Sequence, residues 1–308
     1  MHRREFLQVT ALLTGAMVLP LPARAAAGEP ILYRIQQGGG TVHILGFAEA
    51  TDTSWFVPKI AAALDSADAL WLETPPGSAT AAAEGSGAAP PPDPRLERLF
   101  AEEAVDPATD LFAVLPPEVA ARTAFWADKL NIGRATLSPM RPWYARITIQ
   151  QAYAAQRQAA AAPGQKLVYP ERAVIDRARE RSIPILSEYP TIADLLRFFA
   201  RLPPAAQSQY LVELFDYFDR DVAATNDRSK YGWMIGEPST ASIDQQRTAT
   251  PDLYRAMHVE RNAWWAGRIE GMLANGGSSF VMIGGNHVLG PDAIPRHLAD
   301  RGLAVETL

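Results

Sequence analysis

The chain has 308 residues, 48% of them hydrophobic, and a formal net charge of −5; that length suits one large domain or a domain with an insertion, since domains cluster at about 100 to 200 residues. An acidic chain is a poor partner for nucleic acid or anionic lipid. The absence of any cysteine excludes disulfides, thiolate metal ligands and a cysteine nucleophile, so a metal site would have to use His, Asp, Glu or water.

At the N-terminus, Arg3-Arg4-Glu5-Phe6-Leu7 precedes an apolar run from about Val9 to Leu21, and Ala23-Arg24-Ala25 supplies small residues at the cleavage-defining positions. This is the layout of an export signal, and the paired arginines point to the twin-arginine route. Residues 1–25 are expected to be removed and the mature protein to be periplasmic or secreted. The apolar run is shorter than the roughly 20 residues of a spanning helix and contains Gly15 and Pro20, so no stable membrane anchor is expected. Losing Arg3, Arg4, Arg24 and Glu5 takes the formal charge from −5 to −7.

Next come Ile31 to Ile35, a Gly38-Gly39-Gly40 turn, and Thr41 to Gly46, which predict a hairpin. Val57, Ile60, Ala61 and Leu64 are spaced for a helix, and Ala69-Leu70-Trp71-Leu72-Glu73 is a short apolar run ending in an acid; strand, helix, strand is the economical assignment. Residues 75–94 are small, proline-rich and nearly uncharged, which predicts a mobile surface loop. From 95 to about 230 the apolar spacing is helical almost throughout, interrupted by a strand-like Ile183 to Glu188. The tail returns to a strand over Ser278 to Ile283, a turn at Gly284 to His287, a short helix near Ile294 to Leu298, and a strand at Leu303 to Glu306. The prediction is an α/β fold over 26–308, with a central mixed sheet built from the N- and C-terminal parts and a large, mainly helical insertion at 95–230.

The chemistry gathers at predicted strand ends, where ligand sites of α/β proteins collect. His287 follows the apolar run Phe280 to Ile283 across a glycine turn. A short internal repeat aligns Gly46-Phe47-Ala48-Glu49 with Gly284-Gly285-Asn286-His287, so Glu49 and His287 are expected to face one crevice. Glu73 and Glu188 end short strands, where an acid ligates a metal, serves as a base or caps a helix. Glu260 lies three residues after Met257 and four before Trp264, on one apolar helix face, and pairs with an arginine or joins the site. His43, His258 and His297 read as surface or packing residues, Trp264-Trp265 as core, and Glu213 with Asp216, Asp219 and Asp221 as a solvated helix face. No Gly-x-Ser-x-Gly elbow, Walker loop or His-Glu-x-x-His occurs.

With these pieces in order, the chain resembles the TraB/GumN group, which includes the Tiki proteins and is related to ChaN-like and erythromycin-esterase-like folds. The resemblance spans nearly the whole mature chain. It rests on Tyr33-Arg34 and the following glycine turn, Leu72-Glu73, Arg141-Pro142-Trp143, Leu186-Ser187-Glu188, Trp233 with Gly236-Glu237, Glu260-Arg261-Asn262 with Trp265, and Gly284 through Gly290. It implies a metal-dependent hydrolase, peptidase-like, acting on a peptide or small-molecule envelope substrate. Glu49, Glu73, Glu260 and His287 would bind or flank one divalent cation, Mn, Co, Fe or Zn. Glu73 and Glu260 would do the chemistry, and Arg261 would orient a carboxylate or the developing oxyanion. Glu49 stands where the family has histidine, which leaves a second reading: a non-catalytic protein that binds haem, metal or an envelope ligand.

Overall fold

The computed structural model describes residues 28–50, 52–76, 94–160, 170–223 and 231–308. The export signal expected over 1–25, and nearly all of the loop expected over 75–94, lie outside them.

The hairpin forms as β1 (Leu32–Gln37) and β2 (Gly40–Phe47), turning through Gly38 and Gly39 at φ 58° and 88°, backbone angles that glycine adopts at little cost. Helix α1 (Pro58–Asp65) begins on a proline, whose fixed φ suits a first helical turn, and leads into β3 (Ala69–Leu72). Helices then dominate: α2 (Pro117–Lys129), α3 (Pro142–Ala160) and α4 (Pro170–Glu180) precede the short strand β4 (Ile185–Ser187), and α5 (Pro204–Ala223) and α6 (Ala241–Ala249) follow it. A π-helical turn, Arg255–Glu260, runs directly into α7 (Arg261–Asn275). Then come β5 (Gly277–Gly284), α8 (Ile294–Asp300) and β6 (Val305–Thr307).

The six strands form one mixed sheet in the order β4-β3-β5-β2-β1-β6. β4, β3, β5 and β2 run parallel, and β1 is antiparallel to both β2 and β6. The sheet is thus made from the two ends of the chain, as the sequence predicts, and the helical insertion adds its own edge strand, β4. The two strands of the internal repeat are direct neighbours, with Phe47 opposite Gly284.

The unbroken apolar run of β5 follows from burial on both faces. Phe280 and Met282 pack with Leu45, Leu70, Ile60 and Leu64 under α1 and α4, while Val281 and Ile283 pack with Ile44, Trp265, Ile269 and Leu298 under α7 and α8. Each such side chain fully removed from water contributes roughly 1.5–3 kcal/mol. The helical insertion has a core of its own, with Trp126, Tyr153, Phe215 and Phe218 at its centre. Tyr153 stacks on Phe218 at 3.8 Å between ring centroids. Among the described residues no helix is long and apolar enough to cross a membrane.

Candidate functional site

Because β2, β3, β4 and β5 are parallel, their C-terminal ends share one edge of the sheet, and the polar side chains sit just past those ends. Glu73 follows Leu72 of β3, Glu188 follows Ser187 of β4, Glu49 follows Phe47 of β2 by two residues, and His287 follows Gly284 of β5 by three. This is the strand-end crevice where α/β proteins place ligands.

The crevice centres on Arg261, the first residue of α7, which is only 6% exposed. Its Nε and Nη2 donate to the two carboxylate oxygens of Glu188 at 2.8 and 2.5 Å, a bidentate pair. Nη2 also reaches Glu73 Oε1 at 3.2 Å, and Nη1 lies 3.5 Å from His287 Nε2. Trp265 Nε1 donates to Glu188 Oε2 at 2.9 Å. Glu73 in turn accepts the Gly284 amide at Oε2, 2.9 Å, and its Oε1 lies 3.4 Å from His287 Nε2. Burial alone would raise the Glu73 carboxyl, but the charges of His287 and Arg261, with hydrogen bonds from His287 and the Gly284 amide, outweigh it and hold the group far below the usual carboxylate range.

The imidazole of His287, 3% exposed, is oriented from behind. Asn262 Nδ2 donates to the Asp292 carbonyl at 2.7 Å, which turns Asn262 Oδ1 toward His287 Nδ1 at 2.5 Å. An amide oxygen only accepts, so Nδ1 carries a proton and Nε2 is the atom that takes or releases one. The glycines of the two turns serve close approach. A Cβ on Gly284 would stand 2.9 Å from Glu73 Oε2, and one on Gly46 would stand 2.2 Å from Val288 Cγ2.

Above this floor lies a cavity of about 370 Å³ between the sheet edge and the helices, lined by Glu49, Glu73 and His287 from the strand ends and by Glu213, Tyr217, Gln246 and His258 from the helical side. Tyr217 donates to Glu49 Oε1 at 2.5 Å, and Trp233 Nε1 donates to the Glu49 carbonyl at 2.8 Å. Gln246 Nε2 donates to Glu213 Oε1 at 2.7 Å and Gln246 Oε1 faces His258 Nε2 at 2.8 Å. Burial raises the Glu213 carboxyl, against the charge of Arg146 and the Gln246 hydrogen bond. Burial, then the charges of His287 and Arg261, push His258 down to about 3, so its ring is neutral. Beside the site, in the first turn of α4, burial and the Glu73 charge push the Glu171 carboxyl up to about 7.

Of the residues expected from sequence, Glu49, Glu73 and His287 line one cavity and Arg261 joins Glu73 to His287 from beneath. Glu260 is not brought in: it is exposed, on the same outward side as Trp264, which is 47% exposed. The inward positions are Arg261, Asn262, Trp265, Ala266, Ile269 and Leu273, at helical spacing. Trp264 is therefore surface rather than core. His258, of the two readings surface or packing, is the packed one and lies in the cavity wall, and Glu213 faces the cavity rather than open solvent. Asn262 enters the sequence reading only as part of Glu260-Arg261-Asn262 and without a role, because an asparagine on a helix carries no metal or nucleophile signal; its place beside Arg261 on the face of Trp265 is the clue available.

The donor set does not fit a metal ion as placed. Among the described residues no group of three or more His, Cys, Asp or Glu side chains could hold one. The two closest donors, Glu73 Oε1 and His287 Nε2, lie 3.2 and 3.5 Å from a buried guanidinium, whose fixed positive charge repels a cation beside them.

A family model described as the TraB/PrgY/gumN family matches residues 31–307. Comparison with curated proteins gave no match, and comparison with solved structures gave none.

Proposed function

The chain belongs to the TraB/PrgY/gumN family, and from that premise we propose that it is an exported hydrolase acting on a peptide, amide or ester bond, with His287 as its proton-handling residue. The observation that supports this most directly is the imidazole–carboxylate pair on the cavity floor, 3.4 Å apart, each member oriented by a buried partner. With Nδ1 committed to Asn262, Nε2, which lies 3.4 Å from Glu73 Oε1 and 3.5 Å from Arg261 Nη1, is the nitrogen that takes a proton from a water beside the scissile bond. The imidazolium so formed faces Glu73, whose negative charge stabilises it as the tetrahedral intermediate develops. The same proton then goes to the leaving group.

Glu73 is too acidic to act as the base itself, so its part is electrostatic. Arg261, doubly held by Glu188, is a positioning residue that keeps the Glu73 carboxylate in place. No step is routed through a metal ion, because the donor atoms that would hold one are engaged by Arg261. Export rests on the arginine pair and apolar run of residues 3–21.

The test is turnover of a library of fluorogenic peptides and aryl esters by the purified protein, with elemental analysis of the same sample. Activity is expected, with kcat falling by about 10²–10⁴-fold in His287→Ala and unchanged in Glu260→Ala. A His287→Ala rate equal to the wild type would end the proposal. Stoichiometric metal in the wild type that disappears with His287→Ala would overturn the metal-free assignment.

A further inference from the structure

We propose that Tyr254 and Asp292 form a positioning pair for His287: together they hold the Asp292 carbonyl where it decides which ring nitrogen of His287 carries the proton, and they tie that choice to the seating of the helical insertion. The hydrolase reading is needed only for what His287 then does.

The two ends of the Asn262 side-chain amide differ chemically. Nδ2 donates to the Asp292 carbonyl at 2.7 Å, which leaves Oδ1 to accept from His287 Nδ1. Turned over, the amide would set oxygen against oxygen at Asp292 and would call for a bare Nδ1 on His287. The place of one backbone carbonyl therefore selects the tautomer of the imidazole. Asn262 is 1% exposed and His287 3%, so bulk water does not stand in for either partner.

Asp292 lies in the turn that precedes α8, outside any helix or strand. Its side chain is held instead: Oδ2 accepts from the Tyr254 hydroxyl at 2.6 Å, short for a bond between two oxygens. Burial, then the bond to Asp292, push the Tyr254 hydroxyl above its ordinary value, so it remains a donor. Tyr254 is anchored in turn to the insertion. It ends a single helical turn, Pro251–Tyr254, too short to persist unaided. Gln209 of α5 clamps that turn with both ends of its amide: Oε1 accepts the Leu253 N–H at 2.9 Å and Nε2 donates to Asp252 Oδ2 at 3.0 Å. A continuous path thus runs from α5 through the Tyr254 hydroxyl and Asp292 to Asn262 and His287.

Tyr254 also reaches the site by packing. Its ring centroid is 5.4 Å from that of His258, which is 5.1 Å from that of His287. Tyr254→Phe keeps the ring and removes the hydrogen bond alone.

The measurement is a long-range proton–nitrogen correlation spectrum of full-length protein labelled at its histidines, recorded at about pH 9, where imidazoles are ordinarily neutral. The His287 signals are identified by their loss in His287→Ala. Wild type is expected to carry the His287 proton on Nδ1. Tyr254→Phe and Asp292→Ala should raise the Nε2-protonated form to about a tenth of the signal or more, and should lower kcat about tenfold with KM within about twofold, as loss of a histidine's outer partner does. Asp292→Asn, which keeps an oxygen for Tyr254, should retain the wild-type pattern. A role in folding alone would lower the unfolding midpoint and leave the tautomer unchanged. A wild-type proton on Nε2, an unchanged tautomer in Tyr254→Phe, or equal shifts in Asp292→Asn and Asp292→Ala would each overturn the proposal. A tautomer shift in protein that hydrolyses nothing would sink the enzyme reading alone; His287-dependent hydrolysis with the tautomer unmoved in Tyr254→Phe would sink this one alone.

Discussion

On the sheet side of the cavity, the charged groups gathered around Arg261 each have a charged or amide partner: Glu188 takes three donors, Arg261 touches two carboxylates and an imidazole, and His287 and Glu73 are each fixed from behind, while Glu49 at the rim is held by the Tyr217 hydroxyl. On the helical side the connections are looser: the Gln246 amide is shared between Glu213 and His258, whose Nδ1 has no partner among the described residues, and Arg220 is bonded to Gln245. The difference follows from what each side is built on. Parallel strands deliver side chains from a rigid edge at fixed spacing, so a dense network can be satisfied completely. Helices packed over it by their own aromatic core are under no such constraint. A fully satisfied buried network rigidifies its surroundings, whereas a partly satisfied one invites a ligand. The sheet side therefore sets the chemistry, and the helical side is where selectivity can change without breaking the fold.

The sharpest way to break this contrast is Arg261→Met. It removes the one cation shared by Glu73 and Glu188, and breaking a buried ion pair from one side costs about 3–5 kcal/mol. Urea unfolding at pH 7 should show that loss. A loss below about 1 kcal/mol would mean that the sheet-side network is not a unit. Gly284→Ala comes next: its Cβ would crowd Glu73 Oε2 and displace the carboxylate from the Gly284 amide, at about 1–3 kcal/mol for overpacking. A crystal structure of the variant with Glu73 unmoved would refute the close-approach role of that glycine.

Glu171 tests the network's reach by pH. Its folded pKa, about 7, stands above the ordinary 4.5, so the folded state holds its proton more tightly than the unfolded chain does. That contribution is fully present below pH 4.5 and is lost as pH rises through 7. Glu171→Gln has no proton to lose, so it should be more stable than the wild type at pH 8 and equal to it at pH 4. Discounted for partial exposure, the gain is about 1–2 kcal/mol. An identical difference at both pH values would show that burial and the Glu73 charge do not raise the Glu171 carboxyl.

Much of this was legible in the chain because it depends on local pattern. The strand-end positions of Glu73, Glu188 and His287 follow from apolar runs that stop at a polar residue, and the shared crevice of Glu49 and His287 follows from the matching glycine turns. What stayed hidden depends on which way a helix is turned. His258, Arg261 and Asn262 continue the inward spacing of Trp265, Ile269 and Leu273, yet the chain alone gives His258 and Asn262 no role, and Arg261 has one only through the family resemblance. The partners of Arg261 and His258, namely Glu188, Glu73 and Gln246, are 73, 188 and 12 residues away along the chain, and no periodicity reports contacts of that kind. Glu213 was misread for the same reason: its helix presents acids at solvated spacing, and only the packing of α6 against α5 gives it Gln246.

The smallest expected effect is the most informative about that error. Glu260 and Trp264 share the outer side of the helix, both exposed while the next residue in each case, Arg261 and Trp265, is buried, whereas Met257, three residues before Glu260, lines the cavity. The π-helical turn of Arg255–Glu260 immediately precedes α7, and such turns shift a helical face at the point where they occur, so counting forward from Met257 loses the frame that counting back from Ile269 keeps. If the inner frame is the true one, Glu260→Ala changes an exposed carboxylate only, and its unfolding free energy should match the wild type within about 0.5 kcal/mol. A loss as large as that of Gly284→Ala would put Glu260 back among the working residues and would mean that the sheet-side network extends one residue further than Arg261.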